Sequence, residues 1–120
     1  MPRTLKEIAG IALGTLTAEE RRECAAYVDP QLLERGASVS IRTTTVPVTV
    51  PSFMAFVDLQ PGANWGHPCR YLLVSREDGS IARVDSQFPP PTESLRLVHR
   101  GEEVEDWMLL STQPLEEKSN

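Results

Sequence analysis

The chain has 120 residues, 40% of them hydrophobic and 24% charged, with a formal net charge of −5. That length suits one domain and buries enough surface to need no metal or disulfide staple. An acidic chain without a Lys/Arg block excludes nucleic-acid binding by bulk electrostatics, and no apolar run is long enough to cross a membrane.

Cys24 and Cys69 are too few for a disulfide scaffold, a usage that points to the cytoplasm. Whether the two pair with each other stays open at this level.

Taken in order, the chain begins with helices. Thr4 and Glu7 have the spacing of a capping box, and Leu5, Ile8, Ala9, Ala12 and Leu13 then share one helical face. The basic start before an apolar stretch has the order of a signal peptide. Glu7 and the weak apolar core instead predict an amphipathic helix that stops near Gly14. Thr17 and Glu20 form a second box, predicting a helix to about Tyr27. Asp29-Pro30 looks like the start of a third helix, with Leu32 and Leu33 inside it and Gly36 as its left-handed end.

At Ser38 the period changes from 3.6 to 2. Val39, Ile41 and Thr43 alternate with Ser40, Arg42 and Thr44. Pro47 and Pro51 place the β-branched residues 45–50 at a sheet edge or break them in two. Phe53, Ala55, Val57 and Leu59 form one face of a strong strand. Residues 69–76 and 81–87 read as a hairpin on a type I′ Asp78-Gly79 turn. That turn pairs Arg76 with Ile81, Val74 with Arg83 and Leu73 with Val84. It sends Tyr71, Leu73 and Val84 to the core, with Cys69 at the same parity. Three prolines, 89–91, end the hairpin. Residues 95–98 read as a short strand and 104–110 as its hairpin partner, with a helix as the alternative. The polar residues 113–120 read as a disordered tail. The expected fold is α+β: a domain spanning residues 1–112, with two or three N-terminal helices on a mostly antiparallel sheet of four to six strands.

The chemistry concentrates in the loop 61–68, Pro-Gly-Ala-Asn-Trp-Gly-His-Pro. It is longer than common hairpin loops, and its prolines and glycines hold it in shape. A fixed loop that carries an aromatic residue suits protein binding, with Asn64, Trp65, His67 and Arg70 as the contact residues. It also suits a structural plug. If the protein is an enzyme, Cys69 is the nucleophile, His67 the base and Asp58 the residue that orients it. His67 and Cys69 are also zinc-ligand types, but no second close pair accompanies them, so no metal or cofactor is expected. The arginines at 70, 76 and 83 alternate with acids and read as a solvated face. Residues 88–91 read as a strand terminator before a proline-rich ligand. The function expected from all this is a non-catalytic interaction domain, an accessory, regulatory or inhibitory subunit with a protein partner. The Thr/Val-rich stretch 43–50 is an edge that can accept a strand from another chain, although Pro47 and Pro51 work against such pairing, and the sequence leaves room for a homodimer.

Overall fold

Both capping boxes close as their spacing requires. The computed structural model describes residues 2–63 and 66–101. The Thr4 hydroxyl accepts from the Glu7 amide, and the Glu7 carboxylate accepts from the Thr4 amide at 2.8 Å. Helix α1 (Leu5–Gly14) follows and buries the expected stripe, Leu5, Ile8, Ala9, Ala12 and Leu13. Thr17 and Glu20 reciprocate in the same way and open α2 (Ala18–Glu23). That helix stops short of Tyr27. Cys24 is already extended, and Ala25–Val28 is a strand, β1. Helix propensity is a local term. β1 instead gains ladders to two neighbours while burying Ala25, Ala26 and Val28, and that tertiary gain overrides it.

The third expected helix does not form either. The Asp29 carboxylate accepts from the Gln31 amide at 2.9 Å, a turn in place of a helix cap. Leu33 then exchanges both backbone hydrogen bonds with Ser52. Gly36 has the anticipated left-handed φ of 95°, in the turn that leads into a strand. β2 (Ser38–Ile41) and β3 (Thr44–Pro47) form a two-stranded sheet that reverses at Arg42 and Thr43, with Arg42 at φ 60°. Pro47 sits at the end of β3, on an edge where its missing N–H is tolerated.

The main sheet contains β1, β4 (Ser52–Asp58), β5 (Cys69–Ser75), β6 (Ile81–Ser86) and β7 (Arg96–Arg100), in the order β6-β5-β4-β1-β7. All neighbours are antiparallel. The fold is therefore mixed α and β, with two helices and a strand-rich body. β7 confirms a strand near 95–98, but its described neighbour is β1. Its expected partner, 104–110, and the tail 113–120 lie outside the described residues.

The β5–β6 hairpin departs from the type I′ expectation. Only Gly79 has a positive φ in its turn, whereas type I′ needs two such residues. Ser75 caps the turn instead: its carbonyl accepts from Gly79 N and its hydroxyl from Glu77 N. The longer loop shifts the register by two. Val74 faces Ile81 and Tyr71 faces Val84. An even shift preserves the faces. Tyr71 and Leu73 are buried as expected, against Ile41, Val48, Met54 and Phe56 under the β2–β3 hairpin. Leu72 and Val74 are equally buried on the opposite face, beneath α1. One core face was expected for this hairpin, and β5 has two.

Candidate functional site

The loop after β4 is tied down at both ends. Leu59 N donates to Pro68 O at 3.2 Å, and Ala63 N to Gln60 O at 3.0 Å. His67 N reaches across to Gln87 O at 3.0 Å. Gly66 permits that approach, because a Cβ there would lie 3.0 Å from the same Gln87 oxygen. Asn64 and Trp65 lie outside the described residues.

Asp58 and His67 meet at the end of the sheet. Asp58 Oδ1 lies 2.8 Å from His67 Nε2 and also accepts from Gln60 N at 2.9 Å. A carboxylate oxygen accepts, so Nε2 carries the proton. His67 is 5% exposed, which makes the pair a clamp closing the loop onto the strand. Cys69 stands opposite Asp58 in the β4–β5 register and shares its face. Its thiol donates to Ser86 O at 3.4 Å. Burial, then the Asp58 charge, push its pKa up, away from the thiolate a nucleophile needs. The three residues of the catalytic expectation are thus gathered, with the His67 Nε2–H donated to Asp58 and the Cys69 thiol donated to Ser86 O.

Arg70, a candidate contact residue, points to the other face and is 5% exposed. Its Nη2 lies 3.0 Å and its Nη1 3.4 Å from the two Glu20 oxygens, a forked pair between β5 and α2. Its Nε is 3.5 Å from Asp85 Oδ1, close enough for an ion pair and too far for a hydrogen bond. Asp85 is bonded by Arg83 Nε at 3.0 Å. Burial opposes the Arg70 charge, but Glu20 and Asp85 outweigh it and hold its pKa up. The arginine face read from the sequence is an alternating chain, Glu20–Arg70–Asp85–Arg83.

Sequence reasoning missed the surface beside the loop. Arg42, in its left-handed turn, stacks over the Phe88 ring with 4.4 Å from guanidinium carbon to centroid. Phe88 is 43% exposed, and its carbonyl accepts from the Tyr71 hydroxyl. Gly66, Tyr71, Arg42 and the three prolines line a cleft of about 380 Å³ there. The Phe-Pro-Pro-Pro run was its only visible signal, since nothing local links residue 42 to residue 88.

Cys24 and Cys69 are both free. They lie in opposite core layers, and β4 separates β1 from β5. Two strand spacings, about 10 Å, exceed the reach of a disulfide. Among the described residues no group of three or more His, Cys, Asp or Glu side chains converges to hold a metal ion, and no helix is long and apolar enough to cross a membrane. Compared with protein-family models, with curated proteins and with solved structures, the chain matches none.

Proposed function

We propose that this protein is a non-catalytic interaction domain, an accessory, regulatory or inhibitory subunit that binds a protein partner through the loop 61–68 and the adjoining sheet face. One observation carries the reading. The loop is anchored through His67, whose ring and amide are both engaged inward, while Gly66, Pro68 and the neighbouring Phe88 remain exposed. An anchored loop with an exposed aromatic rim binds without a large ordering penalty. Affinity capture from the native source should recover a partner with the wild type and lose it with Trp65→Ala or Phe88→Ala, at an unchanged melting temperature. Equal capture by all three proteins sinks the reading.

The 2.8 Å contact between Asp58 and His67 favours one competitor, a small Cys/His-dependent enzyme using Cys69. Alkylation separates the two. The binding reading expects Cys69 to react only as fast as the fold opens, and a native thiol that alkylates like a free thiolate supports the enzyme.

A further inference from the structure

β6 is an edge strand, since among the described residues only β5 pairs with it. Ser75 N donates to Ser80 O, and the alternation of an antiparallel ladder then turns the backbone groups of Ala82, Val84 and Ser86 toward β5. Ile81, Arg83 and Asp85 therefore present their N–H and C=O groups to the open edge. The β4–β5 ladder gives the same alternation independently. Leu59 N bonds Pro68 O and Arg76 N bonds Pro51 O, which assigns the even residues of β5 to β4 and the odd ones to β6.

Of the usual protections of an edge, the strand has charged side chains alone. It has no proline, no lysine and no bulge over six paired residues, and Ile81 is 38% exposed. Its two charges, of opposite sign, stand at alternate positions. We propose that β6 is a homodimer edge, pairing antiparallel with β6 of a second copy about a two-fold axis at Val84. The geometry selects that register. Outward-facing residues must pair with outward-facing residues, so the strands can slide only in steps that keep odd positions opposite odd ones. With the axis at Val84, each Arg83 stands opposite Asp85 of the second copy, and each such pair exchanges both backbone hydrogen bonds. A step one way sets Arg83 against Arg83; a step the other way sets Asp85 against Asp85. Like charges directly opposite are destabilising, and the axis at Val84 is the one register that sets both charges opposite their complements. Val84 then meets Val84, and the two five-stranded sheets join into one. The contact is isologous and closes on itself. It does not depend on the loop 61–68.

Sedimentation equilibrium of the purified protein tests this without any other partner. The wild type should reach a dimer as concentration rises and stop there. Arg83→Asp and Asp85→Arg should each weaken self-association by about tenfold or more, because each sets like charges opposite one another. Mixing the two variants should restore a heterodimer, which a merely structural role for either residue would not produce. If Asp85→Arg fails to fold beside Arg70, Arg83→Pro replaces it. That change removes an outward N–H together with the Arg83 guanidinium, leaves the hydrogen bonds to β5 untouched, and should abolish the dimer with the hairpin intact by circular dichroism. A wild type that stays monomeric, folded charge variants that fail to pair when mixed, or a dimer that survives Arg83→Pro each overturns the proposal.

Discussion

Arg70 holds a full charge where water reaches poorly, and two partners make that tolerable. Removing one member of a buried pair strands the other, at about 3–5 kcal/mol when both are fully buried. Glu20 is 26% exposed, so water recovers part of the loss. Arg70→Ala should therefore cost about 2–3 kcal/mol in urea unfolding, below that fully buried range. Arg83→Ala, at an exposed pair, should cost under about 1 kcal/mol. The same contact sets an acid limit. The forked bond from Arg70, then the Thr17 cap, hold the Glu20 carboxyl below its ordinary 4.5. On acidification the unfolded chain takes up that proton first. The stabilisation is thus complete above 4.5 and lost as pH falls through the lower folded value. Glu20→Gln keeps a capping side chain but removes the charge. It should lower stability at neutral pH and flatten the acid limb of the stability curve. An acid limb as steep as that of the wild type would place the sensitivity elsewhere.

At the scale of elements, the turns carry the sharpest requirements. Gly79 has φ 74°, and a Cβ there would meet only side-chain tips, Ile11 Cδ1 at 2.9 Å and Arg3 Nε at 3.1 Å. Those tips can move, so Gly79→Ala should cost mainly the left-handed backbone term, about 1–2 kcal/mol by chemical denaturation. Gly101, at φ 51°, would instead press a Cβ onto the Arg22 carbonyl oxygen at 2.9 Å. That oxygen belongs to the backbone of α2, so Gly101→Ala should be the more destabilising of the two. A smaller loss at Gly101 contradicts this ranking.

The elements also show where the sequence was legible. A capping box lies within four residues, so α1 and the start of α2 could be read directly. Ala25 and Ala26 gave no strand signal because their stabilisation comes from β4 and β7, which are distant in sequence. Asp29-Pro30 reads equally well as a cap or a turn, and the Leu33–Ser52 bridge decides between them. The site behaved the same way. Asp58, His67 and Cys69 are near enough in sequence to be singled out together, whereas Glu20 and Arg70, or Arg42 and Phe88, meet only through the fold.

For the molecule as a whole, the sheet separates two apolar layers that are closed differently. The layer holding Cys24 is covered by α1, whose buried stripe packs on β4, β5 and β1. The layer holding Cys69 is covered largely by the β2–β3 hairpin, where Val39 and Val46 are only half-buried. That hairpin has its own two-stranded ladder and no strand pairing with the main sheet among the described residues. Its cover is held mainly by side-chain packing, so it should open at a lower free energy than the sheet itself. The cysteines report on this directly. Burial pushes the Cys24 thiol up to about 11 and also raises Cys69, so neither reacts while covered. Thiol labelling of Cys69→Ala and Cys24→Ala, each with one cysteine left, measures the two layers separately. Cys24 should label only through global unfolding, at a rate that rises steeply with denaturant. Cys69 should label faster, through a local opening that depends weakly on denaturant, and still more slowly than an exposed thiol. Equal rates and equal denaturant slopes would mean that the hairpin cover opens only when the whole sheet does.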